Sequence, residues 1–411
     1  MNPDSRLNDY ARLVIEKGAN VQQGEPVWIN AQVNAAPFVR LLAQYAYERG
    51  ASDVVVNWRD DALSRLRFEK APMETLETVP QWLYDRSEYY LQKGACLISV
   101  LSDDPELLSG IDPTRIQRAS MAHNQKFQPL QHYTMNDENS WSIVAIPSPV
   151  WAQKVFPDIE DPDEAVEKLW ALILDVTRMN EPDPMKAWAD HIDTLTARAQ
   201  KLNDLKLTAL HYRSSNGTDL TVKLPKGHIW LSATSENRNG TTFLPNIPTE
   251  EIFTMPDRAG VDGTLVATMP LAYNGNLIQD FILHFENGAV TSFDAKKGGE
   301  TLKGIFEEDP NAVRLGEVAL VPYDSPIQNS KTLFYETLFD ENASCHFAFG
   351  ACYPTTMEGG TAMSPEELME KGGNDSQIHV DFMVGAPDLS IVGTTPDGEE
   401  IDVFRDGNFA L

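Results

Sequence analysis

The chain has 411 residues, with 61 Asp and Glu against 33 Lys and Arg, and a formal net charge of −28. A negative field of this size repels phosphate backbones and anionic lipids, so it argues against nucleic-acid binding and against membrane-surface functions. It favours cationic substrates such as free amines.

The composition is 42% hydrophobic and 23% charged, which is typical of globular proteins in water, and the length suits two domains. No run of 18 apolar residues occurs, and residues 1–6 do not combine a basic region with an apolar one, so we expect a cytoplasmic protein that does not bind membranes. The three cysteines, Cys96, Cys345 and Cys352, are too few for a disulfide framework and fit a reducing compartment.

Helix and strand patterns alternate along the first half of the chain. Residues 5–17 have the apolar spacing of a helix, and Gly18 is the expected stop. The elements predicted after it are a strand at 27–31, a helix at 37–49, a strand at 53–58, a helix at 81–92, a strand at 95–101, a helix at 113–124 and a strand at 140–147. This order predicts an α/β N-terminal domain with a mainly parallel sheet.

Two further helices are predicted at residues 163–178 and 184–202. Asp183 is expected to cap the second helix, and Pro184 occupies its first position, where the missing N–H has no cost. The proline-containing break between the helices is the best candidate for a boundary, which divides the chain into domains 1–183 and 184–411.

Strands joined by tight turns dominate the second half. Asn216-Gly217 separates strands predicted at 205–211 and 219–224, and Asn287-Gly288 separates strands predicted at 277–286 and 289–294. Asn-Gly between apolar runs is a strong hairpin signal. With a further hairpin at 389–404 and helical inserts at 299–307 and 332–339, the pattern predicts an α+β C-terminal domain dominated by antiparallel strands.

Several common functional motifs are absent from the sequence. There is no Gly-x-Gly-x-x-Gly, no Gly-x4-Gly-Lys-Ser/Thr, no Gly-x-Ser-x-Gly and no His-Glu-x-x-His. Nucleotide binding, the serine-hydrolase mechanism and the common one-zinc protease helix are therefore unsupported. Cys345, His346 and Cys352 do not form a zinc knuckle, because no Cys-x2-Cys pair completes it.

His379 and Asp381 lie in a segment, residues 378–384, that has the composition of a strand. Successive strand residues alternate between faces, so these two side chains point the same way about 7 Å apart along the chain, which one metal ion can bridge. An alternative interpretation is a buried hydrogen-bonded pair without a metal.

Other carboxylates and imidazoles of the second half also lie inside apolar runs, where uncompensated charge is costly. Together the set contains five residues: Glu251, Glu317, His346, His379 and Asp381. Five mixed oxygen and nitrogen ligands exceed what a tetrahedral structural zinc needs, and they suit two neighbouring divalent ions that share a carboxylate and leave positions open for water. Hydrolysis is the natural use of such a pair.

The same segments resemble a known family. The run from Pro245 to Arg258, the Gly316-Glu317 step, the stretch from Glu341 to His346 with Tyr353-Pro354 behind it, and Gly372-Gly-Asn-Asp375 leading into His379-Val-Asp381 are similar to the thermophilic-type metallo-aminopeptidases of the aminopeptidase T and aminopeptidase S group. The spacings also match: 66 residues separate Glu251 from Glu317, 29 separate Glu317 from His346, and 33 separate His346 from His379.

The resemblance implies that Glu251, Glu317, His346, His379 and Asp381 are metal ligands and that Tyr353 steadies the oxyanion of the tetrahedral intermediate. It also implies two divalent ions per chain (zinc, cobalt or magnesium), a homodimer, and the release of N-terminal residues from short peptides with a free amino terminus. Glu317 is then both a shared ligand and a catalytic residue.

The sequence leaves the roles of three groups of residues open. Glu250 and Glu251 face opposite sides if the segment is extended, so only one is expected to reach the metals, and the spacing favours Glu251. We expect Glu250 to be solvated, with a group that supports the ligands from behind, or a general base, as the alternatives. Cys345 and Cys352 are interpreted as small buried side chains, with soft metal ligands as the alternative. The other histidines are interpreted as structural or surface residues: His123, His132, His191, His211, His228 and His284.

Two other functions are compatible with this sequence. A metal-dependent hydrolase of another amide or ester uses the same chemistry but does not need a free substrate amine. A binding protein whose metals are structural or absent needs no catalytic residue.

Overall fold

The computed structural model describes residues 5–274 and 276–411. The chain forms two compact units, one made of Met1–His191 with Thr234–Thr249 and the other of Ile192–Ala233 with Glu250–Leu411. The predicted domain boundary after residue 183 stays a prediction.

The first unit contains a four-stranded sheet in the order β2-β1-β3-β4. All three pairings are parallel, as predicted for a βαβ order. The strands of this sheet are β1 Pro26–Gln32, β2 Asp53–Arg59, β3 Cys96–Leu101 and β4 Trp141–Ala145. A separate two-stranded ribbon consists of β7 Ser235–Glu236 and β8 Thr242–Phe243.

The helices of the first unit begin with local caps. Asp60, Asp112, Ser148 and Asp161 each accept a hydrogen bond from a backbone N–H of the helix that follows. The helices are α1 Ser5–Leu13, continued by a wider turn at Val14–Gly18, α2 Ala36–Glu48, α3 Asp61–Lys70, α4 Met73–Leu76, α5 Gln81–Gln92, α6 Pro113–Phe127, α7 His132–Met135, α8 Pro149–Val155 and α9 Pro162–Val176, followed by α10 Pro184–Leu205, which includes the boundary between the units.

The second unit contains a nine-stranded antiparallel sheet in the order β11-β12-β10-β6-β5-β17-β18-β19, with β13 paired to β12. Asn287 and Gly288 both have positive φ, 52° and 81°, which is the backbone that a two-residue hairpin turn requires. The strands are β5 Ala209–Arg213, β6 Asp219–Lys223, β10 Val261–Val266, β11 Leu271–Tyr273, β12 Asn276–Glu286, β13 Ala289–Lys297, β17 Ser390–Thr394, β18 Glu400–Arg405 and β19 Asn408–Phe409.

A smaller antiparallel sheet of the second unit has the order β16-β15-β14-β9. Its strands are β9 Ile252–Thr254, β14 Leu315–Leu320, β15 His346–Gly350 and β16 His379–Met383, and the helices of this unit are α11 Gly299–Phe306, α12 Pro326–Asn329, α13 Thr337–Asp340 and α14 Pro365–Glu370. One face of this sheet is aromatic: Phe349 stacks on Phe382 with a centroid distance of 4.2 Å, and Phe347 contacts Tyr212 of β5 at 5.1 Å.

The predicted fold class is confirmed: a parallel sheet with helices lies in the N-terminal part and antiparallel sheets lie in the C-terminal part. The helical insert predicted near 332–339 is found only at its end, because α13 begins at Thr337, and Lys331 and Tyr335 before it have positive φ, which interrupts a right-handed helix. The strand predicted from residue 205 begins only at Ala209, since α10 continues to Leu205. No helix among the described residues is long and apolar enough to cross a membrane.

Candidate metal centre

The face of the small sheet opposite the phenylalanines carries the predicted site residues. Phe347 and Phe349 of β15 are fully buried in the core, so strand alternation turns His346, Ala348 and Gly350 to the other face. Burial of the aromatic residues therefore fixes the direction of the polar ones, because a shift by one residue would exchange the two faces.

Strand register places the acidic residues in one row across the sheet. Glu317 of β14 pairs with Ala348, and Ala348 pairs with Asp381 of β16. Paired residues share a face, and the small side chain of Ala348 leaves room between the two carboxylates. The row accounts for how residues 64 positions apart in the chain come to share a site.

Gly316 gives Glu317 its position in β14. The pairing of β14 with β15 has an irregularity between Leu315 and Glu317, and a Cβ atom at Gly316 would lie 2.2 Å from the carbonyl oxygen of Ala351. Only glycine permits this close approach of two backbones. The Gly316-Glu317 step of the sequence therefore has a structural reason.

The five predicted ligands meet in two groups that share Glu317. Glu251, Glu317 and His346 form one group and Glu317, His379 and Asp381 the other, with ligand atoms within 4.8 Å of one another in each. The Nε2 atom of His346 lies 3.1 Å from Glu251 Oε2 and 3.7 Å from Glu317 Oε1. The Nε2 atom of His379 lies 3.2 Å from Glu317 Oε2 and 3.4 Å from Asp381 Oδ1. Each oxygen of Glu317 thus faces a different histidine.

Backbone carbonyls orient both imidazoles. Nδ1 of His346 lies 2.8 Å from the carbonyl oxygen of Glu341, and Nδ1 of His379 lies 2.7 Å from that of Ala351. A carbonyl only accepts, so each Nδ1 carries the proton and donates it. In the neutral ring the lone pair is then on Nε2, which is the nitrogen that faces the carboxylates.

The carboxylates have no lysine or arginine partner in the part of the chain that the structure describes. Among the described residues, the ion pairs of Glu251, Glu317 and Asp381 are made with His346 and His379 only. Burial acts to raise the pKa of Glu317, but the two histidines outweigh it and bring that pKa to about 2, so Glu317 is ionised. Burial raises the pKa of Glu251, against the effect of His346.

Tyr353 forms part of the wall of this site. Its ring lies 4.8 Å from that of His379 and 5.9 Å from that of Phe253, measured between centroids. Burial, followed by the negative charges of Glu317 and Asp381, raises the pKa of Tyr353 well above its usual value. The phenol therefore keeps its proton and remains a hydrogen-bond donor.

Glu341 is a buried carboxylate that the sequence reasoning did not assign to the site. It lies in a short turn, Glu341–Ala343, directly before β15, and its side chain is 8% exposed. Burial and the nearby charges of Asp381 and Glu251 raise its pKa well above the usual range. Glu341 lies five residues before His346, inside the segment that carries the family resemblance. This position was the signal in the sequence that could have assigned it to the site.

Glu250 is also buried, at 5% exposure, so the expectation that it is solvated is wrong. Its backbone N–H donates to Asn342 Oδ1 at 2.7 Å, which holds this segment at the edge of the site. Among the described residues it belongs to neither ligand group, and the choice of Glu251 as the ligand stays a prediction.

The two nearby thiols are inert in this setting. Cys345 and Cys352 are buried, and burial raises the pKa of each to about 12, so neither is a thiolate at neutral pH. Neither belongs to a ligand group among the described residues, nor do the six histidines interpreted as structural or surface residues.

The donor set fits divalent cations. Around a metal with ligand distances near 2.1 Å, neighbouring ligand atoms are about 3.0–3.5 Å apart, which is close to the four separations of 3.1–3.7 Å given above. Charge-assisted hydrogen bonds are shorter, at about 2.7–2.9 Å. Buried oxygen and imidazole donors without thiolates suit zinc, cobalt or magnesium better than a soft metal.

Comparison with known proteins agrees with this geometry. The family model of the thermophilic metalloproteases (M29) matches residues 3–409. The chain is 47% identical to aminopeptidase AmpS of Bacillus subtilis (strain 168), covering 99% of this chain and 98% of that protein, and 39% identical to aminopeptidase T of Thermus aquaticus, covering 98% of each. The solved structure of wild-type AmpT from Thermus thermophilus superposes with a TM-score of 0.90 at 38% identity, covering 99% of both chains.

The resemblance seen in the sequence motifs is therefore confirmed over nearly the whole length of the chain. The match of the fold includes both the parallel and the antiparallel sheets. The chain belongs to the thermophilic metalloprotease family, M29.

Proposed function

We propose that this chain, a metallo-aminopeptidase by family, removes N-terminal residues from short peptides by means of water activated at a pair of divalent ions. The observation that carries the proposal is the division of the ligands into two groups around Glu317, whose two oxygens face different histidines. At such a site, the chemistry that two divalent ions supply is a lowered pKa of bound water and a polarised substrate carbonyl.

The residues of the chain have separate roles in this proposal. Glu251 and His346 would hold one ion, His379 and Asp381 would hold the other, and Glu317 would be shared between them. Tyr353 donates its phenolic hydrogen to the oxyanion that develops on the substrate carbonyl, since its raised pKa keeps it protonated. Glu341 takes up and returns a proton, since it is a buried carboxyl group beside the ligand residues, where burial and the charges of Asp381 and Glu251 raise its pKa.

The carboxylates of the site fit a substrate with a free amino terminus. The described residues around it contribute four carboxylates and no lysine or arginine ion pair. A carboxylate oxygen that the ions leave free would accept a hydrogen bond from a protonated α-amine, whereas an acetylated amine carries no positive charge. A homodimer and a cytoplasmic location stay predictions of the family resemblance and of the sequence.

The test is release of the first residue from a dipeptide amide by wild type and by Glu317→Gln. The substitution keeps the size of the side chain but weakens the shared ligand, so turnover should fall by about two orders of magnitude or more. Glu286→Gln, at an exposed carboxylate of β12, is the matched control and should keep full activity. Full activity of Glu317→Gln would contradict the mechanism.

The choice of substrate separates this function from a general amide or ester hydrolase. We expect cleavage of peptides with a free amino terminus and no cleavage of the N-acetylated forms. A chelator should inhibit, and an added divalent ion should restore activity. Equal cleavage of free and acetylated peptides would favour the alternative hydrolase.

A further inference from the structure

A cavity of about 520 Å³ lies within the first unit, and none of its lining residues belongs to the metal centre. It is lined by Trp28 and Asn30 of β1, Leu97 of β3, and residues of α5 and α6 such as Arg86 and Phe127. Parallel sheets are normally covered on both faces, yet Leu97 in a central strand is only half-buried here. The volume is in the range of about 300–1,000 Å³ that is usual for small-molecule sites.

Two asparagines on adjacent strands form a polar pair in the floor of this cavity. Asn30 and Asn57 are register partners in the pairing of β1 with β2, at a place where apolar residues are usual. The Oδ1 atom of Asn30 accepts from Trp28 Nε1 at 2.9 Å and from Asn57 Nδ2 at 3.1 Å. Among the described residues the amide NH2 of Asn30 has no hydrogen-bond acceptor, so it is a spare donor.

Arg86 provides further spare donors. Its guanidinium stacks over the ring of Trp28 at 4.6 Å, and its one hydrogen bond among the described residues is to Asn57 Oδ1 at 3.5 Å. The side chain is half-buried and forms no ion pair with the described carboxylates. Four of its five N–H groups thus have no protein acceptor in the part of the chain that the structure describes.

The charge of the cavity is opposite to that of the chain. None of its thirteen lining residues is acidic, although the chain has 61 acidic residues against 33 basic ones. Arg59, the second arginine of the lining, has its nearest carboxylate contact, with Asp103, at 3.8 Å. The free groups of Arg86 and Asn30 are N–H donors, which bind an anion, and the Ser87 and Thr134 hydroxyls donate to backbone carbonyls of the chain.

Apart from Ser87, His123 and Thr134, the rest of the lining is apolar. Leu83, Leu91, Leu97, Leu130 and the ring of Phe127 surround the polar floor. A ligand that satisfies both parts needs one anionic group, of which a carboxylate matches the planar guanidinium best, and a compact apolar body.

From these observations we propose that the first unit binds a small amphiphilic carboxylate in this cavity, with its anionic group at Arg86 and Asn30 and its apolar body against the leucines and Phe127. The site is separate in sequence and in unit from the metal centre. Its occupation does not require the metals.

The test is titration calorimetry at pH 7.5 with 4-phenylbutyrate and with its neutral counterpart, 4-phenylbutyramide. We expect one carboxylate per chain with a dissociation constant below about 1 mM, and the amide at least tenfold weaker, since a hydrogen bond to a charged group contributes more than a neutral one. No measurable binding of the carboxylate, or equal binding of the amide, would overturn the proposal.

Three variants locate the binding. Arg86→Gln removes the cation, and Asn30→Asp keeps the acceptor for Trp28 and Asn57 but adds a negative charge, so each should weaken binding at least tenfold. Arg40→Gln, at an exposed arginine of α2 outside the cavity, should bind as wild type does. Thermal unfolding confirms that each variant is folded. If Arg86→Gln and Asn30→Asp both retain wild-type affinity, the carboxylate binds elsewhere and the inference fails.

Discussion

The carboxylate of Glu317 is the residue on which the site depends most. It is 4% exposed, and each of its oxygens lies near the Nε2 atom of a different histidine. Burial of a charged group is costly without compensation, and the histidines lower its pKa enough to keep it ionised. One side chain thereby links two ligand groups, whose residues come from β14, β15, β16 and the position directly before β9.

Tyr353 offers a test of oxyanion stabilisation at the scale of one atom. Tyr353→Phe removes the hydroxyl but keeps the ring contacts with His379 and Phe253. We expect kcat for a dipeptide amide to fall by about 10²–10³ with little change in KM, since the lost hydrogen bond is made mainly in the transition state. An unchanged kcat, in a variant with the wild-type unfolding temperature, would remove Tyr353 from the proposed mechanism.

Asp137 is a buried carboxylate in the first unit that predicts a pH dependence of stability. Burial raises its pKa from 3.8 to about 6, against hydrogen bonds from Trp141 and Ser235 that lower it. The native state thus binds more protons than the unfolded state between about pH 4 and 6, so the free energy of unfolding falls as pH rises through this window. Above pH 6 the carboxyl group is ionised, and the loss in the free energy of unfolding reaches its full value of about 2–3 kcal/mol.

Asp137→Asn should remove this cost. Asparagine keeps an oxygen for the Trp141 indole N–H and tolerates the positive φ of 52° at this position. Denaturant unfolding of both proteins should give equal stability near pH 4 and a more stable variant at pH 7. A variant that is less stable than wild type at pH 7 would show that Asp137 is stabilised as the anion.

At the scale of helices, strands and turns, sequence patterns predicted the elements whose formation depends on neighbouring residues. The helix predicted at 81–92 matches α5, Gln81–Gln92, and the Asn287-Gly288 turn joins β12 and β13 as expected. Asp183 accepts from the backbone N–H of Lys186 at 3.0 Å, as the predicted cap of α10. In each case the signal is contained within a few neighbouring residues.

Elements without such a signal were missed. Helix α3 has no buried residue, so its sequence carries no apolar stripe, and the three-residue strand β9 is too short for a period to be visible. The row of Glu317, Ala348 and Asp381 depends on register between distant strands, which no local pattern specifies. Glu341 was missed for a similar reason, because it faces the site from a turn.

Gly316 provides a prediction about the bulge in β14. Gly316→Ala places a Cβ atom 2.2 Å from a backbone oxygen that cannot turn aside, so the strand must shift and carry Glu317 with it. We expect a loss of about 2–4 kcal/mol in the free energy of unfolding together with loss of peptide cleavage. Denaturant unfolding and cleavage of a dipeptide amide measure the two effects.

Gly304→Ala is the matched control. A Cβ atom at Gly304 meets nothing within 4 Å, and this glycine lies within α11, where alanine is favoured by about 0.5–1 kcal/mol. The control should therefore be as stable as wild type or slightly more stable, with full activity. Equal stability of Gly316→Ala and wild type would mean that the bulge does not need glycine.

At the scale of the whole molecule, the metal centre is a concentration of negative charge inside a chain that already has a net charge of −28. Four buried or half-buried carboxylates are brought together by packing of the aromatic face behind them. Without cations, their mutual repulsion opposes the folding that assembles them. We therefore expect stability and metal binding to be linked in this protein.

This linkage gives a prediction that does not depend on catalysis. An ion that binds only the native state stabilises it by about 2.7 kcal/mol when its concentration is 100 times its dissociation constant, so chelation should lower the unfolding temperature of wild type by several degrees. Glu317→Gln should lose most of this difference, because the shared ligand serves both groups. Scanning calorimetry with and without chelator measures the shift, and elemental analysis gives the metal content. If wild type contains two metals per chain and yet unfolds at the same temperature after chelation, the ions do not bind at the buried carboxylate cluster and the assignment of the five ligands is wrong.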